Sequence, residues 1–359
     1  MESHSRVTLK DIGGVAGLSK SAVSQALRND PSLPRSTRDR VKAIARELGY
    51  RPDPALRALV GYRHPNHSRS VETVAWVTNW TTADGWRRDS PVYRHYYDGA
   101  CRCAEEMGYH LQHFWMREKN MTRARFEQVL RARRIRGLIL APQPAPHSSI
   151  ELTWSQYAAV KIGYSLEVPA LHTVTCSHFD SMKKVLVALK NKGYRRIGYC
   201  CQSSIDERVG HAWLAAYMLI SKSSDLGEPI PPQSMSNPRK SSFVTWLREH
   251  RPDAVITTGP RLAGDIRNWC EQSGLRVPQD IGLALVSNVD PNGELSGIHE
   301  HSEEIGAISV KLLASMLNAN ETGIPDFPQR ILIDGTWAEG RTVRKKPGRP
   351  SKARVARAV

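Results

Sequence analysis

Lys20, Ser21, Ser24, Gln25 and Arg28 fall on one side of the stretch KSAVSQALR, while Val23, Ala26 and Leu27 fall on the other. A glutamine amide pairs bidentately with an adenine edge, and serine and lysine reach bases or phosphates, so this face carries the groups that read a duplex in the major groove. Such a face works only on a helix held rigidly by neighbours. Thr8 stands as an N-cap before Leu9, Ile12, Val15 and Ala16, with Asp11 three residues on, where a capping-box acid sits. Gly17 ends that helix and Ser19 caps the next. The run Asn29-Asp30-Pro31 stops the second helix, and a third starts near Ser36 and buries Val41, Ile44, Ala45 and Leu48. Two short helices joined by a glycine-containing turn make a helix-turn-helix. A small helical bundle with a polar face is the other reading of any one of these helices.

The charge distribution favours the first. Residues 1–70 carry a net +7, residues 341–359 carry +8, and everything between carries +1. Basic ends on a neutral body point to contact with a polyanion at the ends alone. At 359 residues the chain exceeds what one core organises, so two or more folding units are expected. No apolar run is long enough for a membrane helix and the first residues have no secretion signal, so a cytoplasmic protein is expected. The six cysteines show no metal-binding spacing, and no phosphate loop, nucleophile elbow or zinc-protease motif is present. No metal, cofactor or catalytic residue is expected.

The runs VTLKDIGGVAGLSKSAVSQALRN and TRDRVKAIARELGYRP resemble the N-terminal headpiece of the lac repressor family of bacterial transcription regulators. The resemblance implies base contacts by Lys20, Ser21 and Gln25, with Thr8, Ser24 and Arg28 beside them, on a double-stranded operator. Ala22 stands where threonine is commoner, and Gly13-Gly14 weakens the first helix by up to roughly 1 kcal/mol per glycine. The similarity runs patchily to about residue 335.

Asp53 and Pro54 can start a short helix in YRPDPALRALVGYR, with Leu56 and Leu59 sharing one face. Two or three turns are too short to be stable alone. The resemblance implies a hinge helix within residues 51–70 that orders on DNA and pairs with its twin across a homodimer. Leu59 is then the wedge in the minor groove, Leu56 lies beside it and Arg57 lies near phosphate. An ordinary tether is the alternative.

From 71 to 340, short apolar strands alternate with helices, which predicts parallel sheets with ligands at the carboxyl ends of strands. The fold expected is an all-α helix-turn-helix headpiece followed by an α/β, periplasmic-binding-protein-like, two-lobed sensor domain. By resemblance Arg208 opens a helix and forks hydrogen bonds to a sugar-like effector. Alone, it reads as a surface ion pair with Asp206 or Glu207. Trp80, Trp86, Tyr93, Ser177, His178, Ser204, Ser287 and Glu300 are the other cleft candidates. Ser287 replaces an expected aspartate, and Gly259-Pro260 replaces Asn-Asp, which leaves an effector-independent regulator as the alternative. The segment 341–359 is expected to be a disordered basic tail. Its KKPGRP resembles an AT-hook core with Arg349 in the minor groove, and a generic cationic tail is the other reading. A sequence-specific regulator, a repressor by default, is the reading these residues favour.

Overall fold

The structure is a computed structural model that describes residues 7–27, 30, 32–50, 72–89, 91–223, 228–288 and 290–346. Arg28, the hinge residues Leu56, Arg57 and Leu59, and Arg349 of the tail lie outside the described residues.

The head has three helices, α1 (Leu9–Ala16), α2 (Lys20–Leu27) and α3 (Arg35–Glu47). The Thr8 backbone N–H and hydroxyl both donate to the Asp11 carboxylate at 2.8 Å. These bonds hold the Asp11 carboxyl below its ordinary range. The Ser19 hydroxyl accepts from the N–H of Ala22 at 3.2 Å and caps α2. Ile12, Ala16, Val23, Ala26, Val41 and Ala45 form the core, and an Arg40 guanidinium N–H donates to the Ala16 carbonyl at 3.1 Å, tying α3 to the end of α1. Ile44 and Leu48 pack partly buried against this core.

Val15 departs from expectation, being 62% exposed. At 100° per residue it lies well round the helix from Leu9, Ile12 and Ala16, beyond the width of the buried stripe. Gly13 has a purpose its helix propensity hides. A Cβ there would stand 2.6 Å from the Leu18 carbonyl oxygen, so the tight turn into α2 needs its absence.

The body has two α/β lobes. The first contains β1 (Glu72–Thr78), α4 (Gly85–Asp89), α5 (Pro91–Glu106), β2 (Tyr109–Trp115), α6 (Arg123–Ala132), β3 (Gly137–Leu140), β4 (Ser148–Ser149), β5 (Ala158–Ile162), β6 (Leu166–Val168) and β7 (His172–Cys176). The second contains α7 (His178–Asn191), β8 (Ile197–Gln202), α8 (Ser203–Arg208), α9 (Ala212–Ser223), β9 (Gln233–Met235), α10 (Lys240–His250), β10 (Ala254–Thr257), α11 (Pro260–Glu271), β11 (Gly282–Asn288) and β12 (Ser296–His299). The chain then returns to the first lobe for α12 (Ser302–Ala319) and β13 (Arg330–Ile333), and ends in the second with β14 (Thr336–Ala338). It therefore passes between lobes at 176–178, 299–302 and 333–336.

The first sheet runs β13-β7-β5-β3-β1-β2, every pair parallel. The second runs β14-β12-β11-β10-β8-β9 and is parallel except for the edge pair β12-β14. Strands such as β3, β5 and β10 are buried along their whole length because helices cover both faces. In the first lobe α5 and α12 cover one face, and α6 with Phe126 and Leu130 covers the other. In the second, α7 and α9 face α10 and α11 across the sheet.

Two expectations change here. The helix expected to open at Arg208 begins at Ala212, with Arg208 closing a separate short helix, α8. Residues 341–346 are packed against the second lobe instead of belonging to a free tail. Val343 is buried in that lobe's core, and the Thr342 carbonyl accepts from the N–H of Leu283 at 2.9 Å.

Candidate functional site

In the head, Lys20 and Ser21 are exposed at the start of α2, and Ser24 and Gln25 are half-buried one turn on. All four lie on the side opposite Val23 and Ala26, which are fully buried. The first turn of α2 is thus presented outward while its apolar side locks it to α1 and α3, the geometry a recognition helix requires. Thr8 is engaged as a cap by its two bonds to Asp11.

In the body, each sheet has a point where the strand order reverses, between β1 and β3 in one lobe and between β8 and β10 in the other. Loops beyond the carboxyl ends of strands diverge at such points and leave a crevice. Here the two crevices face each other, and Arg208 joins them. From α8, just beyond β8, its guanidinium donates to the Pro144 carbonyl at 2.8 Å and to the Tyr93 hydroxyl at 2.6 Å. Pro144 follows β3 and Tyr93 opens α5, so both acceptors belong to the other lobe. The ion-pair reading of Arg208 does not hold. Asp206 is buried and instead accepts from the N–H of Leu214 at 3.3 Å and lies 2.9 Å from the His211 ring, pinning the start of α9.

Around this bridge the cleft is aromatic. Trp80 meets Tyr93 edge to face with centroids 6.0 Å apart, and Tyr93 stacks on Tyr96 at 6.0 Å. The Trp80 indole N–H donates to the Pro142 carbonyl at 2.9 Å, fixing its ring. Trp86 belongs elsewhere. It is fully buried against Trp76, Tyr97 and His113, so it builds the first lobe's core and not the cleft. Its short helix α4 turns the side chain inward.

The crossovers form the floor. Ser177 donates from its hydroxyl to Asp180 at 2.9 Å, and His178 sits between Tyr164 (5.9 Å) and Trp213 (5.0 Å). Burial pushes the His178 imidazole down to about 4, so it is neutral near pH 7. Glu300 is 4% exposed, and burial pushes its carboxyl up to about 7, opposed by a hydrogen bond with Ser287. The Tyr96 phenol feels both Glu300 and Arg208, and its own burial raises it well above the ordinary range. Ser204 is half-buried on α8. Trp80, Tyr93, Ser177, His178, Arg208, Ser287 and Glu300 are thus gathered where the lobes meet.

Sequence reasoning passed over Tyr96, Gln143, Tyr164 and Trp213. Gln143 is fully buried and its amide donates to Ala141, leaving its side-chain carbonyl without a partner. The Trp213 indole N–H and the His178 Nδ1 are also buried without partners. Such groups are costly unless something satisfies them. Gln143 and Tyr164 lie just beyond strand ends, a position that could have flagged them. Among the described residues no group of three His, Cys, Asp or Glu could hold a metal ion.

The titration of Glu300 makes a prediction. Its folded value lies above the ordinary 4.5, so the native chain holds a proton that the unfolded chain releases between about 4.5 and 7. The stability this confers is complete below about 4.5, declines as pH rises, and is gone above about 7. The difference is about 3 kcal/mol. Glu300→Gln should flatten that slope and exceed the wild type in stability at pH 8; urea melts from pH 5 to 8 showing parallel curves would contradict it.

Comparison with known proteins settles the class. The profile described as "Bacterial regulatory proteins, lacI family" matches residues 8–53, over all three head helices, and that of "Periplasmic binding protein-like domain" matches residues 186–343. The head carries a lacI-family DNA-binding domain and the body a periplasmic-binding-protein-like one. The chain is a DNA-binding transcription regulator, as its relatives are. Among its lacI-family relatives, HTH-type transcriptional regulator GntR of Escherichia coli is 25% identical over 338 residues, covering 88% of each chain. The ribose operon repressor of the same organism is 24% identical, covering 85% of this chain and 92% of the repressor. The fold is that of the lac repressor dimer bound to operator, with TM-score 0.54 and 18% identity over 95% of this chain and all of that one. The CelR–cellobiose complex gives TM-score 0.56 and 20% identity over 94% of this chain and all of that one. No helix among the described residues is long and apolar enough to cross a membrane.

Proposed function

We propose that this regulator is a dimeric repressor whose cleft takes a small polyhydroxylated molecule of the sugar class and thereby sets operator affinity. The observation that carries this is Arg208, which spans from one lobe to Tyr93 and Pro144 of the other. A ligand that competes for those donors changes how the lobes sit, and a ligand with different affinity for two lobe arrangements shifts their populations. Trp80 and Tyr93 offer aromatic faces to a sugar ring, while Gln143, His178 and Trp213 offer polar atoms to its hydroxyls. Ribose, glucose and cellobiose are sensible probes, since the relatives include a ribose operon repressor and structures with bound cellobiose and glucose.

In this reading the headpiece, residues 1–50, reads bases through Lys20, Ser21 and Gln25, with Thr8, Ser24 and Arg28 supporting contacts to the duplex. Residues 51–70 form the hinge, with Leu56, Arg57 and Leu59 at the minor groove, and the sensor carries the signal to it. The protein acts in the cytoplasm without catalysis of its own.

A thermal-shift panel of the three sugars tests the cleft. A rise in melting temperature with one of them, lost in Arg208→Ala, supports the reading, and no shift with any sugar leaves the effector-independent regulator. Gln25→Ala tests the head. Losing a bidentate base contact costs about 1–3 kcal/mol of discrimination, so specific affinity should fall roughly tenfold to a hundredfold while binding to random duplex stays constant. Equal loss on both duplexes would remove Gln25 from base reading.

A further inference from the structure

A groove of about 930 Å³ opens on the second lobe and shares none of the cleft residues named above. One wall is α7. Asp180, Lys183, Lys184, Val187, Ala188 and Asn191 recur there at helical spacing, so they form one stripe roughly 16 Å long. The other side of α7, with Met182, Val185, Leu186 and Leu189, is sunk in the lobe's core. The facing wall is the segment 334–339, which carries the third passage between lobes and the edge strand β14. Lys345 closes the far end, where the N–H of Lys346 donates to the Lys192 carbonyl at 2.8 Å.

The charges in this groove are unevenly spent. Each of its three acids has a partner: Asp180 accepts from the Ser177 hydroxyl at 2.9 Å, Asp334 from Lys184 at 3.1 Å, and Glu339 holds Lys192 at 2.8 Å. Lys183 and Lys345 are exposed and meet no acid or acceptor among the described residues. The floor between them is apolar. It consists of Val187, which is 47% exposed, Ala188, and Trp337, which packs against the lobe's core.

We propose that this groove is a second ligand site, which takes a small amphipathic organic anion, an apolar chain or ring ending in a carboxylate, and through it acts on the passages between lobes. Concave sites of this size, mostly apolar with a few placed polar groups, suit small ligands. The apolar body lies on Val187, Ala188 and Trp337, and the carboxylate meets the ammonium groups in charge-assisted hydrogen bonds. A cation finds no acid to spare. The link to the lobes lies in the wall itself. Lys184 also donates to the Gly335 carbonyl at 2.9 Å, the Thr336 hydroxyl is 3.0 Å from the His301 ring, and the Ser177 N–H donates to the Ile333 carbonyl at 2.8 Å. The three passages are tied together there. A carboxylate that draws on Lys184 competes with Asp334 and biases how the lobes sit. That regulatory part rests on the sensor reading of the body, whereas the site itself does not.

The test is calorimetric titration of the full-length protein with decanoate and, in parallel, with decyltrimethylammonium, which has the same chain and the opposite charge. Decanoate should bind at least about tenfold more tightly than the cation. Lys183→Ala combined with Lys345→Ala should weaken decanoate about tenfold, and Val187→Asp should abolish its binding. All three positions are exposed, so an unchanged melting temperature certifies that the variants are folded. Arg208→Ala should leave decanoate affinity within about twofold. Absence of decanoate binding, equal binding of the cation, or loss of binding in Arg208→Ala, which would put the probe in the cleft, each overturns the site. So does displacement of decanoate by polyglutamate at a hundredth of its concentration, which would assign the groove to an acidic protein segment. Hydrogen exchange over residues 334–337 should change at least about threefold when decanoate binds, and binding that leaves it unchanged overturns the link to the lobes. The sugar panel reads the cleft separately, so a failure there does not bear on the groove.

Discussion

Gly306→Ala is expected to cost about 3 kcal/mol of stability and to lower the melting temperature by roughly 6–10 °C. Gly306 on α12 and Gly99 on α5 face each other across the tightest helix contact of the first lobe. A Cβ on Gly306 would overlap the Tyr96 carbonyl oxygen, and one on Gly99 would overlap that of Glu303. The obstacle in each case is backbone, which cannot swing aside as a side chain does, so the helices must separate. That separation also shifts Tyr93 and Tyr96, which open α5 and line the cleft. Arg102, which pairs with Glu303 across the same seam, would lose its register. Gly264→Ala is the matched control, because nothing lies within 4 Å of a Cβ there and α11 should gain a few tenths of a kcal/mol to about 1 kcal/mol. Equal melting temperatures for the two variants, measured side by side, would show that α5 and α12 do not touch as described.

The second large effect is on response. Arg208→Ala removes both bonds that join the lobes and is expected to weaken any sugar's effect on operator affinity by about a hundredfold, the upper end of ordinary coupling free energies. Arg208→Lys discriminates charge from geometry. A lysine keeps the charge but cannot send two fixed donors to Tyr93 and Pro144, so the response should remain mostly lost. Fluorescence anisotropy of a labelled operator with and without sugar measures both variants, and a full response in Arg208→Lys would reduce the residue to a point charge.

The head was legible because its signals are local. Caps at Thr8 and Ser19, the left-handed Gly17 and the alternating faces of α2 are each set by neighbours within four residues. The body was less so, for reasons that particular residues make plain. Trp80 and Trp86 sit six residues apart after one strand and both are buried, yet Trp80 lies against Tyr93 beside the cleft while Trp86, on α4, packs among Trp76, Tyr97 and His113. Glu300 in the run His-Glu-His has the composition of a surface loop, and its burial depends on two crossovers meeting. The edge strands β9, β13 and β14 are short and carry little periodicity, and α12 is buried on much of its circumference. Val343 alone marked the segment 341–346 as more than a charged tail.

The threefold passage between lobes means that neither lobe is a continuous stretch of chain. During synthesis, the first lobe's sheet lacks its edge strand until residue 333 has been made, and the second lacks its own until residue 338. The head is complete by residue 47. At roughly 5–20 residues per second a ribosome spends about 15–60 s making the difference, so a folded head precedes a closed sensor by many folding times. A nascent chain in that interval has a finished recognition helix, two sheets with uncovered edges open to mispairing, and no means yet of sensing a ligand.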